Sequence, residues 1–139
     1  MRIWGMGSCF RGDGEKIDKF TKNGVAAIGW EEEDAPALYN IVKEMKKGDI
    51  IYIKSFIIKT RELRIKAIGK VRSNIMQRRP YLENKNAFEV EWLKTPEDKL
   101  PTISLAPEDT RFNIYSCTLY PEYNKKISDK IKELINYSE

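Results

Sequence analysis

Two tryptophans lie where apolar segments of the chain meet polar ones. Trp4 stands in a short apolar run that leads into a glycine-rich polar stretch, and Trp30 ends a second apolar run just before a cluster of acids. A base removed from its stack regains about 1–3 kcal/mol on each aromatic ring that it contacts, so indole faces beside polar groups suit a base pocket. We therefore hypothesise that Trp4 and Trp30, with Phe10 nearby, line a pocket that stacks a planar ligand.

The same aromatic residues could instead fill the core of a small domain. Tyr52 lies inside an apolar run and Trp92 inside an alternating one, so we assign both rings to the core. For Trp4 and Trp30 the sequence leaves both interpretations open, because glycine or polar residues adjoin each of them.

A run of basic residues occupies the middle of the chain, from Lys59 to Arg79, where Glu62 is the one acid. On a strand, alternate residues share a face with a rise of about 3.3 Å per residue, which suits a series of phosphate groups. The alternative is an ordinary solvated strand face. The one-signed charge favours a polyanion, and the residues that we predict to contact its backbone are Arg64, Lys66, Lys70, Arg72, Arg78 and Arg79.

The residue types argue against catalysis. The sequence has no histidine, which removes the commonest general base and zinc ligand, and its two cysteines, Cys9 and Cys117, show no metal-ligand spacing. Glu89 and Glu91 lie two apart, but a metal-dependent nuclease needs several converging carboxylates. The acids at 31–34 precede Pro36 and are assigned to helix capping. We expect no catalytic residues, no metal and no cofactor.

Length and composition describe one folded unit. The chain has 139 residues, 41% hydrophobic and 33% charged, which predicts a single domain over residues 1–139. Its 25 Lys and Arg exceed its 21 Asp and Glu, and the net charge of +4 is compatible with a nucleic acid partner. With no apolar signal core, no bilayer-length stretch and few cysteines, we expect a cytoplasmic protein without a membrane partner.

The elements that must position these residues follow from hydrophobic periodicity. We predict strands at 3–6, 25–30, 49–56, 63–72 and 88–93, shorter strands at 102–105 and 112–119, and an exposed loop at 74–85. Helices are predicted at 15–22, from Pro36 to a stop at Gly48, and over an amphipathic C-terminal segment at 122–137. This order indicates an α+β fold, a small curled sheet or β-barrel with flanking helices.

Several of these stretches together resemble the EVE-like branch of the PUA superfamily, which includes EVE and YTH domains and the recognition domains fused to modification-dependent restriction enzymes. The shared features are an early strand with Trp, a Gly-Trp after the second apolar run, a helix followed by Lys-Gly-Asp and an apolar strand, and an Ala-x-Gly-x-Val strand. The stretches that carry them are Arg2–Gly7, Phe20 with Gly24–Trp30, Met45–Ser55 and Ile65–Val71.

The resemblance implies a PUA-like barrel that accepts a flipped, often modified base in an aromatic pocket and does no chemistry on it. It places Trp4, Ser8 and Trp30 at strand exits that wall the pocket, and Lys54 and Ser55 at its base-contacting edge. Such a domain would bind DNA or RNA and act through a separate effector protein. The alternatives are a protein-interaction or small-molecule module that uses the same pocket.

Overall fold

The computed structural model describes residues 1–10, 14–57, 59–107 and 119–136. The predicted α+β class is confirmed, since most of the described residues form a curled sheet with three α-helices against it. The helices are α1 (Ile17–Asn23), α2 (Pro36–Glu44) and α3 (Lys125–Leu134). The strands are β1 (Ile3–Met6), β2 (Cys9–Phe10), β3 (Gly14–Glu15), β4 (Val25–Ala26), β5 (Ile50–Ile57), β6 (Glu62–Val71), β7 (Gln77–Arg79), β8 (Lys85–Lys94), β9 (Thr102–Ser104) and β10 (Leu119–Pro121).

The main sheet runs in the order β10-β1-β5-β6-β8-β4, with β7 paired to β8 and β9 to β6. The strands β1 and β5 are parallel, and β5 and β6 form the antiparallel pair that their short connection predicts. Because β1 and β5 run the same way, this pair has a common carboxyl end, near Met6 and Ile53, and a common amino end, near Ile3 and Ile50. We call these the carboxyl end and the amino end of the sheet.

Two apolar clusters pack against opposite faces of the sheet. Side chains from both outer strands, β10 and β4, join the same cluster, so the sheet curls around it; we call this the inner core. Helices α1 and α2 close the inner core with Phe20 and Val42. The outer core is smaller, and α3 covers it with Ile127 and Ile131.

The sequence marks one end of each helix, although α2 ends at Glu44, before the stop predicted at Gly48. Gly24 ends α1 in the left-handed conformation, φ 66°, which glycine adopts without strain. Pro36 opens α2 at a position where its missing N–H is not needed. The Asn124 side chain accepts the Ile127 N–H at the start of α3, at 3.2 Å. No helix within the described ranges has the length and apolar character needed to cross a bilayer.

A β-bulge at Lys66 corrects the prediction of one cationic strand face. Ile65 pairs with Lys54 and Ala67 with Ile53, so Lys66 is an extra residue on β6. Because alternation restarts after the bulge, side chains on either side of it change faces.

The core clusters show the consequence. Leu63 and Ile65, before the bulge, belong to the outer core, whereas Ala67 and Val71, after it, belong to the inner core. Arg64 therefore lies on the inner side of the sheet and Lys70 on the outer side. The prediction that Arg64, Lys66, Lys70 and Arg72 share one face is wrong.

Other predicted elements differ in extent. The apolar run at 25–30 keeps only Val25–Ala26 as strand, and the predicted loop at 74–85 contains β7 and a 3-10 turn, Pro80–Leu82. The C-terminal helix covers Lys125–Leu134 rather than 122–137. The strand predicted at 112–119 lies almost wholly outside the described residues, as does Cys117.

Candidate functional site

A partly exposed carboxylate, that of Glu15, organises the carboxyl end of the sheet. After β1 the chain passes Ser8, which is 1% exposed, and its hydroxyl donates to Glu15 Oε1. The same oxygen accepts the N–H groups of Lys16 and Ile17, each at 3.0 Å. Lys66 Nζ donates to Glu15 Oε2. The bulge on β6 thus supplies the cation that pairs with Glu15 at the start of α1.

The electrostatics of Glu15 follow from these contacts. Burial alone would favour the neutral acid, but the hydrogen bonds from Lys66 and Ser8 outweigh it, so the pKa of Glu15 lies below its ordinary value of 4.5. The carboxylate is therefore ionised at neutral pH and fixes the Ser8 hydroxyl and the Lys66 ammonium group in place.

Phe10 packs against Gly29, the residue directly before Trp30. Gly29 has φ 78°, and a Cβ built on it would lie 2.8 Å from the Phe10 ring. The ring therefore packs directly on the Gly29 backbone, and Phe10 is 4% exposed. Trp30 follows at 37% exposure, and its carbonyl accepts the Tyr39 hydroxyl at 2.7 Å. The backbone of Trp30 is anchored while much of its indole remains in solvent.

We call Ser8, Phe10, Glu15, Gly29, Trp30 and Lys66 the mouth cluster. It combines an exposed aromatic ring with a hydroxyl, a carboxylate and an ammonium group. An arrangement of this kind can stack a planar ring and hydrogen-bond its edge. Four of its members come from the sequence prediction, namely Ser8, Phe10, Trp30 and Lys66.

Trp4 does not belong to the mouth cluster. Its ring is 0% exposed within the inner core, and its indole N–H donates to Asp49 Oδ2 at 3.0 Å. Asp49 precedes β5 at the amino end of the sheet, whereas Trp30 lies near the carboxyl end. The hypothesis of a slot between the two indoles is wrong, because Trp4 has a buried polar partner at the far end of the strand.

Lys54 also points away from the mouth cluster. Its Nζ lies 5.5 Å from the centre of the Tyr120 ring, beside the outer core, and the side chain is 8% exposed. Ser55, the next residue, is half-buried and pairs in register with Arg64. Neighbouring residues on a strand face opposite sides, so the predicted Lys54–Ser55 edge is divided between the two faces of the sheet.

The Tyr120 ring belongs to a buried polar network on the outer face. The Tyr52 hydroxyl donates to Glu122 Oε1 and lies 3.0 Å from the Tyr120 hydroxyl. Burial raises the pKa of Glu122 above 4.5, although the bonds from Tyr52 and from the Asn124 N–H act against it. Burial likewise raises the pKa of Tyr52 well above its usual value. Tyr52 is fully buried, as its assignment to the core requires.

The remaining basic residues occupy different surroundings. Arg78 forms a forked contact with Glu31, at 3.2 Å and 2.9 Å, directly after Trp30. Glu31 therefore pairs with an arginine, and the expected capping of α2 by acids is wrong, since that helix has no side-chain cap. Arg79 is half-buried, and its Nε and Nη2 have no hydrogen-bond partner among the described residues.

Lys70 and Arg72 share an open cavity of about 400 Å³ with the carboxylates of Glu89 and Glu91. The acids offset the two cations there. No group of three or more Cys, Asp and Glu side chains in the described ranges is arranged to hold a metal ion.

Sequence reasoning missed Glu15 and Asp49. Both are carboxylates that accept several N–H groups where a chain segment begins, Glu15 before α1 and Asp49 before β5. The available signal was local: Glu15 follows a glycine and precedes a helix, where an acid complements the helix dipole. Their long-range partners had no signal in the sequence.

Comparison with known proteins supports the fold. No protein-family model matches the sequence, and no curated protein matches it. Among solved structures the chain is similar to the YTH domain of Zygosaccharomyces rouxii MRB1, solved in complex with N6-methyladenosine RNA. The TM-score is 0.56 at 16% sequence identity, over 99% of this chain and 86% of that one. The chain thus has a YTH-like fold, which is among those that the resemblance implied.

Proposed function

We propose that the protein is a non-catalytic reader of nucleic acid that takes one base, modified or unmodified, into the mouth cluster. The observation that carries the proposal is Trp30, whose indole is 37% exposed while its backbone is held by Tyr39. Because the backbone that carries this ring is already held, less of the chain has to be ordered when a base stacks on it, which lowers the entropic penalty of binding.

The polar members of the mouth cluster would hold the edge of the stacked base. The Lys66 ammonium group has further N–H groups to donate, Glu15 can accept from an exocyclic amino group, and the Ser8 hydroxyl, whose proton bonds Glu15, can accept as well. All three already form one bonded network, so a base edge would enter preoriented partners. We propose that Arg64 and Arg78, on the exposed surface near this end, contact the adjoining backbone.

The ligand of the structural neighbour narrows the choice of polymer. The MRB1 YTH domain was solved with N6-methyladenosine RNA, which supports RNA as the polymer and a methylated adenine as the base to test first. Single-stranded RNA suits this mode, because its unstacked bases are available to aromatic side chains. We propose that the biological effect of the protein passes through a separate effector protein.

The test is binding of short single-stranded oligonucleotides, RNA and DNA, with and without N6-methyladenine. We expect Trp30→Ala to weaken binding by about 5- to 150-fold, equivalent to about 1–3 kcal/mol for one stacked base. Leu93→Ala is the matched control, because Leu93 is also 37% exposed but lies on β8, outside the mouth cluster. Thermal unfolding should show both variants folded.

Two results would count against the proposal. If the wild-type protein binds no oligonucleotide at low salt, nucleic acid is not its ligand, and a protein or small-molecule partner replaces it. If Trp30→Ala binds as tightly as wild type, another part of the surface holds the base and the mouth cluster is not the pocket.

A further inference from the structure

A basic cavity lies at the amino end of the sheet, opposite the mouth cluster. It measures about 690 Å³, and its residues come from the start of β1, the end of α2 with the turn that follows, and the segment after β6. The cations that line it are Arg2, Lys43, Lys46 and Lys47. Ser73 and Asn74 add polar groups at its wall.

Two acids, Glu44 and Asp49, also line this basic cavity, and they offset only half of the charge of its four cations. Both oxygens of Asp49 are occupied: Oδ1 accepts the Arg2 N–H at 3.1 Å, and Oδ2 accepts the Lys46 N–H and the Trp4 indole N–H, each at 3.0 Å. Glu44 lies 3.8 Å from Arg2 with both side chains more than half exposed, so that pair is weak. Within the described residues, Lys43, Lys46 and Lys47 form no ion pair.

The basic cavity is also held in shape. Arg2 lies over the Trp4 ring, with its guanidinium carbon 5.6 Å from the ring centre. The Asp49 N–H donates to the Lys46 carbonyl at 2.9 Å, which closes the turn that presents Lys46 and Lys47. The Asn74 side chain donates to the carbonyls of Lys43 and Met45, at 3.1 Å and 2.9 Å. The cations therefore project from a fixed backbone.

We propose that this basic cavity binds phosphate groups of the nucleic acid strand whose base occupies the mouth cluster. The inference rests on the proposed function and extends it along the strand. From Asp49 to Ser55 the sheet spans about 20 Å, at roughly 3.3 Å per residue, so the two sites engage one strand only if it is several nucleotides long. Lysine ammonium groups bind phosphate as point charges and release its counterions.

The adjoining cavity at Lys70 and Arg72 is a weaker candidate for the same role. It shares Lys47 with the basic cavity, but Glu89 and Glu91 also line it and oppose an anion. We therefore place the phosphate contacts at the turn after α2.

The experiment compares salt dependence in two double variants. Lys46→Gln with Lys47→Gln removes two charges from the basic cavity, and Lys125→Gln with Lys130→Gln removes two from α3, whose ion pairs are exposed. Binding of an N6-methyladenosine RNA decanucleotide is measured against salt concentration. For single strands each phosphate contact adds about 0.7 to the slope of log K, so we expect the first variant to lose about 1.4 and the second none.

A trinucleotide separates the two sites, because it can fill the mouth cluster without reaching the basic cavity. We expect its affinity to be the same in wild type and in the Lys46/Lys47 variant. If the decanucleotide slope is also unchanged in that variant while wild type binds, the phosphate site is wrong and the proposed function stands. If wild type binds neither oligomer, both fail. Should the double variant unfold, Lys47→Gln alone should lose about 0.7 of the slope.

Discussion

The two ends of the β1–β5 pair differ in how they use a tryptophan. At the amino end, Trp4 is sealed in the inner core, donates to Asp49 and lies under Arg2. At the carboxyl end, Trp30 keeps 37% of its surface in solvent and follows Gly29, on which Phe10 packs. Similar sequence surroundings thus lead to a structural indole at one end and an available one at the other.

The difference lies in the partner that the fold supplies. Asp49 is 45 residues from Trp4 in sequence, and parallel pairing of β1 with β5 brings the carboxylate to the indole N–H. The chain leaves the sheet after β4, before it reaches Trp30. The Tyr39 hydroxyl then bonds the main-chain carbonyl of Trp30 rather than its ring. An aromatic residue near a strand end becomes a ligand-binding residue only when the fold leaves its ring unburied.

The largest expected difference between the two tryptophans is in their contribution to the free energy of unfolding. Trp4→Ala should lower the free energy of unfolding by about 3–5 kcal/mol, because it removes a fully buried ring and leaves Asp49 without one of its donors. Trp30→Ala should cost less, about 1–2 kcal/mol, because part of its side chain is already in solvent. Chemical denaturation measures both. Equal losses in the two variants would mean that Trp30 contributes as much to the stability of the fold as Trp4 does.

Much of the fold could be predicted because its signals are local. Strand β1, the Pro36 start of α2 and the Gly24 end of α1 follow from apolar periodicity and terminal residues. The YTH-like fold itself followed from the order of several loose motifs. The single-domain organisation, the cytoplasmic location and the effector partner stay predictions.

The arrangement of side chains could not be predicted in the same way. A bulge at Lys66 moves the following residues to the opposite face, and the sole break in the apolar–polar alternation there, at Ile68, does not by itself identify an extra residue. One extra residue therefore places Lys70 and Arg64 on opposite faces of the sheet. Lys54 and Ser55 also lie on opposite faces, because they are neighbours on β5. The partners of Trp4 and Lys66 lie more than 40 residues away, which no local pattern records.

A smaller effect is expected at Gly29, which contacts Phe10 and precedes Trp30. Gly29→Ala adds a methyl group 2.8 Å from the Phe10 ring at φ 78°, a conformation that costs an L-residue about 1–2 kcal/mol. We expect a loss of stability of at least that size, because the methyl group also displaces the Phe10 ring, with weaker oligonucleotide binding as Trp30 shifts. Gly48→Ala is the matched control, since Gly48 has φ 94° and nothing lies within 4 Å of its Cβ position, so it carries the conformational cost alone. Similar losses in both variants would show that the Phe10–Gly29 contact does not position Trp30.

The smallest effect is a dependence of stability on pH, and it sharpens the contrast between the mouth cluster and the outer face. The pKa of Glu15 is below 4.5 in the folded protein, so its ionised form stabilises the fold above that pH and the contribution is lost as pH falls through the lowered pKa. Glu15→Gln should therefore destabilise the protein most at neutral pH and progressively less in acid, measured by urea denaturation.

Glu122 should behave in the opposite sense, because burial raises its pKa above 4.5. The stability that its neutral form contributes is present at low pH and is lost as pH rises through the raised pKa. The stability of Glu122→Gln relative to wild type should then improve as pH rises, while that of Glu15→Gln worsens. Parallel pH curves for the two variants would contradict the assignment of a paired, ionised carboxylate to the mouth cluster and a desolvated one to the outer face.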